Sequence, residues 1–300
     1  MTQHNQLECH RELASRHVNT MAVIGAGTMG TGIAIAGLEA GLELTLLEQD
    51  AVALQRGLTR IREHYARRVA AGKVSADKAA ECESRLLTTT DWNSLARIDL
   101  VVEAVFEEMA VKREVFARLD KIVRPGAILA TNTSYLDVDA IADATSRPHD
   151  VVGLHFFSPA NVMRLVEVVR GAGTAPEVVA TAVEVATRLG KLPVVTGNAF
   201  GFVGNRIFSA YRRQCEFMLE EGALPEEVDA VLEGFGFAMG PFAVADMSGL
   251  DIAWRMRQSQ AATRNPAARY VHIPDMLCEA GRLGRKTGAG YYLYEDGPGK

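Results

Sequence analysis

The chain has four cysteines in 300 residues, and no two of them form a C-x-x-C pair. Disulfide and metal frameworks need clustered spacing, so Cys9, Cys82, Cys215 and Cys278 read as reduced thiols of a cytoplasmic protein. Aromatic residues make up only 7% of the chain. No apolar run approaches the ~18 residues that a membrane span requires. The first 20 residues, MTQHNQLECHRELASRHVNT, are polar and lack the apolar stretch of a secretory signal. The final GPGK does not spell a peroxisomal address. There is no basic excess either: 32 lysines and arginines face 37 aspartates and glutamates, a net charge of −5. Nucleic acid and acidic membranes both call for concentrated positive charge, so neither is expected as a partner. Low-complexity tracts and internal repeats are missing too.

What remains is a chain that is 48% hydrophobic and 23% charged, enough apolar mass for one large core and a second, smaller one. After a polar arm over residues 1–19, a short apolar run (Thr20 to Gly25) leads into a glycine-rich turn. Met29, Ile33, Ala36 and Ala40 then fall at helical spacing, and Leu44 to Leu47 reads as a second buried strand. Residues 51–83 are helical in pattern and heavily charged. Strands are expected at 99–106, 127–132, 151–157, 165–169 and 193–196, with helices at 109–123 and 177–189. Pro176 suits the first turn of the second of these. Strands that are apolar throughout and alternate with helices predict an α/β fold with a doubly wound, mostly parallel sheet. From residue 198 the segments are helical in length, separated by Gly and Pro, with no convincing strand. The expected organisation is therefore a sheet domain over 20–197 and a smaller all-α domain over 198–300.

Gly25-Ala26-Gly27-Thr28-Met29-Gly30 has the form G-x-G-x-x-G. The first glycine permits the tight turn, the second lets backbone approach a diphosphate, and the third lets helix pack close to strand. The helix opening at Thr28 and Met29 points free N–H groups at the phosphates. Alone the motif is weak. Here it follows a strand, opens a helix and is followed by Glu48 at the end of the next strand, 18 residues past Gly30. A carboxylate there accepts from ribose hydroxyls and repels a 2′-phosphate, so the expected cofactor is NAD, bound in a Rossmann-type domain.

Oxidising an alcohol needs a base for the hydroxyl proton, and histidine is suited near neutral pH. Of seven histidines only His155 ends an apolar strand, where ligands of open α/β sheets gather. A buried histidine satisfied by backbone is the plain alternative. Glu167 lies inside the next apolar run, and a carboxylate there needs a partner. His155 is one candidate; Arg164 and Arg170 are others. Asn132 and Ser134 belong to a polar cluster, TNTS, at a strand's carboxyl end, where Ser134 could equally cap a helix.

Together VIGAGTMG, VVEAVFEEMAVK, TNTS, GLHFFSPANVMRLVEVV, GFVGNRI, MGPF and GRKTGAGYY resemble, in order and spacing, the motifs of the L-3-hydroxyacyl-CoA dehydrogenases. The likeness runs from about residue 20 to 295, and the wording is most similar to the dehydrogenase portion of bifunctional hydratase–dehydrogenases. Those enzymes continue into a second helical unit, so the chain is either a single-function homologue or a truncated one. The resemblance implies reversible oxidation of an L-3-hydroxyacyl-CoA to a 3-ketoacyl-CoA with NAD. It implies that His155 is the base, that Glu167 orients it, and that Ser134 and Asn205 hydrogen-bond around the reacting oxygen at a domain junction. It also makes Glu107, Lys112 and Asn132 cofactor contacts and suggests a homodimer through the helical domain. For Glu107 a solvated helix start is the competing role.

The sequence departs from the family at Ser158, where many single-function members carry Asn. His64 and Ala71 stand where some members place a serine and a lysine against CoA; Arg67, Arg68 and Lys73 could serve the CoA phosphates instead. These departures keep open a free 3-hydroxy acid or sugar acid as substrate. A non-catalytic NAD-binding homologue is a further reading, disfavoured by the presence of all four catalytic positions. No metal site is expected.

Overall fold

The computed structural model describes residues 15–262 and 264–295. Most of the polar arm, with His4, Cys9 and His10, and the GPGK terminus lie outside that range. Two compact units emerge, residues 1–205 and 206–300.

The first unit holds one eight-stranded sheet. Its strands in chain order are β1 (Thr20–Ile24), β2 (Glu43–Leu47), β3 (Leu86–Thr89), β4 (Leu100–Glu103), β5 (Ile128–Thr131), β6 (Val151–Phe156), β7 (Leu165–Arg170) and β8 (Leu192–Gly197). Across the sheet they lie in the order β3-β2-β1-β4-β5-β6-β7-β8. All neighbours run parallel except β6 and β7, which are antiparallel. The order reverses between β1 and β4, and their carboxyl ends form the crevice where open α/β sheets bind ligands. Apolar side chains on both faces of β1, β2 and β4 to β7 are buried beneath helices, which is why these strands read as continuous apolar runs.

The helices of this unit are α1 (Thr28–Glu39), α2 (Ala51–Ala70), α3 (Ala76–Ser84), α4 (Met109–Ile122), α5 (Val138–Ala142) and α6 (Pro176–Arg188). Residues 51–83, one helical stretch in the sequence pattern, break in two at Gly72, whose φ of +65° a side chain disfavours. Ser75 then caps α3 by accepting from the Lys78 N–H. Strand β3 escaped the sequence reading because it is a half-exposed edge strand with no continuous apolar run, and helix α5 because it is only five residues long. Pro176 occupies the first turn of α6, as expected.

The sequence pattern puts the domain boundary at 197, where β8 ends. In the structure residues 198–205 still belong to the first unit, because Val203 and Gly204 donate their N–H groups to Glu167 of β7. A helix, α7 (Gly204–Glu220), begins at that point.

The second unit is helical, with α8 (Pro225–Phe235), α9 (Pro241–Ser248), α10 (Leu250–Ser259) and α11 (Ile273–Glu279). Two buried carboxylates organise it. Asp229 accepts from the Phe242 and Ala243 N–H groups and from Tyr292 Oη. Asp246 accepts from the Tyr291 and Tyr292 N–H groups and from Tyr294 Oη. A Cβ at Gly240 or Gly290 would fall within 2.1 Å of one of these carboxylates, which accounts for the glycines of MGPF and TGAGYY. Cys82, Cys215 and Cys278 are free and buried. No helix among the described residues is long and apolar enough to cross a membrane.

Candidate active site

The glycine-rich turn links β1 to α1. Gly25 has φ +102°, and a Cβ there would stand 2.6 Å from the Ala104 carbonyl oxygen at the end of β4. A Cβ on Gly30 would lie 1.8 Å from the Gly25 oxygen, so this glycine sets the approach of helix to turn. At Gly27 a Cβ would meet nothing within 4 Å: backbone there borders open space. Gly27 caps α1 without a side chain, and α1 carries no acidic residue in its first turn. Its first N–H groups and dipole are thus available to an anion. A cavity of about 670 Å³ opens at this point, lined among others by Gly25, Gly27, Thr28, Met29 and Glu48. That size lies in the usual range of small-molecule sites. Glu48 is held in place: Oε2 accepts from the Ala26 N–H at 3.1 Å and Oε1 from the Gln49 N–H at 2.8 Å.

Antiparallel pairing sets His155 of β6 directly opposite Glu167 of β7. Directly paired residues project to the same face. The result is a contact of 2.7 Å between His155 Nδ1 and Glu167 Oε2. Both are buried, at 3% and 1% exposure. The other oxygen, Oε1, accepts from the Val203 and Gly204 N–H groups at 2.8 and 2.7 Å. Burial pushes the Glu167 carboxyl up, but the hydrogen bonds from His155, Gly204 and Val203 outweigh it and hold it below the ordinary carboxylate range. Phe157 and Phe202 pack on the imidazole, with ring centroids 4.4 and 5.7 Å away. Phe202 holds a φ of +46°, a left-handed conformation rare for a bulky residue. Gly204 must remain small, since a Cβ would meet Phe157 at 2.7 Å.

Asn132 Oδ1 accepts from the Phe156 N–H, which ties the end of β5 to the residue after His155. Ser134 does not cap a helix; Asp137 caps α5. The Ser134 N–H donates instead to Glu107 Oε1, which also accepts from Thr133 Oγ1 and the Tyr135 N–H. Glu107 therefore braces the 133–135 turn while standing exposed just ahead of α4. Asn205 is the second residue of α7, next to the Gly204 N–H that meets Glu167.

Lys112 differs from what the resemblance implies. It is 1% exposed, absent from the cavity lining, and its Nζ lies 2.7 Å from Glu103 and 3.4 Å from Glu107. Glu103, fully buried, also accepts from Thr131 Oγ1 and the Val105 N–H. This carboxylate went unnoticed in the sequence, although an acid ending the apolar run LVVE carries the same demand for a partner as Glu167. Lys191 was missed as well: its buried Nζ donates to the Ala160 and Met163 carbonyls and pins the turn between β6 and β7. Arg67 pairs with Glu63 at 3.6 Å, Arg68 pairs with Glu39, and Lys73 follows α2 with no ion pair among the described residues. No cluster able to hold a metal ion occurs among the described residues.

A sheet whose order reverses at a glycine-rich turn, with an acid after the second strand, defines a Rossmann-type domain of the kind that binds NAD. The chain belongs to the 3-hydroxyacyl-CoA dehydrogenase family. The profile described as "3-hydroxyacyl-CoA dehydrogenase, NAD binding domain" matches residues 20–199, and "3-hydroxyacyl-CoA dehydrogenase, C-terminal domain" matches 201–294. It is 45% identical to the peroxisomal bifunctional enzyme of Pongo abelii over 293 residues, 94% of this chain and 40% of that protein. The human peroxisomal bifunctional enzyme is 44% identical over the same length and shares. The chain thus spans about two fifths of these curated relatives. Among solved structures, 3-hydroxybutyryl-CoA dehydrogenase from Escherichia coli superposes with a TM-score of 0.88 at 39% identity, covering 93% of this chain and 60% of that one. (S)-3-hydroxybutyryl-CoA dehydrogenase from Ralstonia eutropha gives 0.87 at 34% identity, covering 93% and 100%.

Proposed function

We propose that the chain interconverts L-3-hydroxyacyl-CoA and 3-ketoacyl-CoA, with His155 as general base and acid. The observation that carries this reading is the buried His155–Glu167 contact of 2.7 Å. With Nδ1–H donated to the carboxylate, Nε2 is the nitrogen that accepts the 3-hydroxyl proton, and Glu167 stabilises the imidazolium that results. NAD supplies the hydride acceptor. Gly25, Gly27, Thr28, Met29 and Gly30 hold its diphosphate and Glu48 its adenosine ribose. Asn132 lines the nicotinamide's path, and Ser134 and Asn205 hydrogen-bond the reacting oxygen. Lys112 acts behind Glu107, steadying the turn that carries Ser134.

Lys73, with Arg67 and Arg68 if they exchange partners, serves the CoA phosphates. The existing Arg67–Glu63 and Arg68–Glu39 pairs support a second reading, in which the substrate is a free 3-hydroxy acid or sugar acid. A homodimer through the second unit is supported by exposed apolar residues there, among them Val231, Phe235 and Ile252. The cytoplasmic assignment rests on the wide spacing of the four cysteines, whereas the relatives are named for peroxisomes; imaging of the tagged protein in its own cell separates the two.

The test follows NADH absorbance with acetoacetyl-CoA, against NADPH and free acetoacetate. Oxidation of NADH with the CoA ester alone is the expected result. Turnover with acetoacetate alone favours the second reading. His155→Ala should lower turnover by about 100-fold or more while NADH still binds; undiminished turnover removes His155 from its role.

A further inference from the structure

Helix α2 carries five arginines, at 56, 60, 62, 67 and 68. The three outside the lining of the cofactor cavity are each paired with a carboxylate: Arg62 with Glu83, Arg67 with Glu63, Arg68 with Glu39. The two that line the cavity, Arg56 and Arg60, form no ion pair among the described residues. They stand one turn apart on the same face. Between them lies Gly57, where a Cβ would come within 2.7 Å of Ala26 Cβ and 3.0 Å of its carbonyl oxygen. That glycine lets α2 press against the glycine-rich turn, and Arg60 Nη1 reaches the Ala26 oxygen at 3.4 Å.

The cavity's own carboxylates are already engaged. Glu48 accepts from the Ala26 and Gln49 N–H groups, and Asp50 caps α2 through the Ala53 N–H. Arg56 and Arg60 are the only cationic groups in its lining among the described residues. A doubly charged diphosphate beside α1 meets backbone N–H groups from one side and would find its only full positive charges here.

We propose that Arg60, supported by Arg56, is the counter-charge that binds the diphosphate of the cofactor. The assignment rests on the NAD reading of the cavity. Its test is calorimetric binding of ADP-ribose and of adenosine to the intact chain, alongside the Arg60→Gln and Arg56→Gln/Arg60→Gln variants. The unmodified chain must bind ADP-ribose; failure there would sink the NAD reading itself, and this inference with it. Given that binding, R60Q should weaken ADP-ribose about tenfold and the double variant further, with adenosine affinity unchanged. The gap should narrow between about 50 mM and about 500 mM salt, since the contact is solvent-exposed. Both arginines are exposed, so the variants should melt with the unmodified chain, and a melting scan establishes that they are folded. Unchanged ADP-ribose affinity in the folded variants overturns the proposal. So does an equal loss for adenosine and ADP-ribose, which would make the arginines packing groups of the nucleoside wall.

Discussion

An acid drawn out of water persists only when its oxygens are met, and Glu167, Glu103 and the partly exposed Asp99 of the first unit each meet that condition with different donors. Glu167 uses an imidazole and two backbone N–H groups, Glu103 an ammonium, a hydroxyl and one N–H, and Asp99 a guanidinium with the Asn19 and Thr20 N–H groups. Removing Glu103 would leave the Lys112 ammonium buried without its main partner. Glu103→Ala should therefore lose about 3–5 kcal/mol of stability, read as a lower urea midpoint. For Asp99, burial pushes the carboxyl up, but the Thr20 N–H, Arg124, the Asn19 N–H and the Thr20 hydroxyl outweigh it and bring it to about 2. A depressed acid contributes stability above its unfolded value and loses it as pH falls toward the folded one. The midpoint difference between the native chain and Asp99→Asn should be flat above pH ~5 and shrink between pH ~4 and ~2. A difference constant across that range would contradict the assignment. At this scale the sequence made Glu167 legible because it sits mid-strand among valines. Glu103 was hidden by its position at a strand end, where an acid can equally face solvent.

Elements were legible where packing makes them long or apolar throughout. The parallel strands β1, β2, β4 and β5 announce themselves because both faces are covered. The reversal at β7 does not, since an apolar run carries no sign of direction. The His155–Glu167 partnership therefore stayed one option among three in the sequence and is settled geometrically by strand register. The glycines of the turn offer a matched test. A methyl on Gly30 collides with backbone, so Gly30→Ala should lower the melting temperature by more than about 5 °C. A methyl on Gly27 meets no protein atom, so Gly27→Ala should melt normally yet bind NADH at least about tenfold more weakly. Equal melting of the two variants would separate the motif from the close packing assigned to it.

The molecule divides after residue 205, a few residues beyond the point where the family profiles divide, with matches to residues 20–199 and 201–294. The second unit has a small core, Cys215, Val228 and Phe242 in one cluster and Ala245, Leu250 and Cys278 in another. Much of its apolar surface remains outside, with Val231 and Phe235 at 72% and 82% exposure. Monomers rarely leave such a patch bare. Sedimentation should report about twice the 32.5 kDa chain mass, and Val231→Glu/Phe235→Glu should return it to one chain. A native sedimentation mass of one chain would remove the homodimer. This level was least legible, because exposure depends on how helices turn their faces.

The hairpin between β6 and β7 has an arithmetical consequence. His155 and Glu167 meet because an even–odd count along two paired strands brings them to one face. Adding residues to the loop between Phe157 and Arg164 leaves that count intact. Adding one residue to β7 between the loop and Glu167, with the loop-side pairing held, turns the carboxylate to the opposite face of the sheet. The chemistry is thus written in parity: the loop lies outside the count, but a single residue added to a strand whose pairing is held turns one partner away from the other.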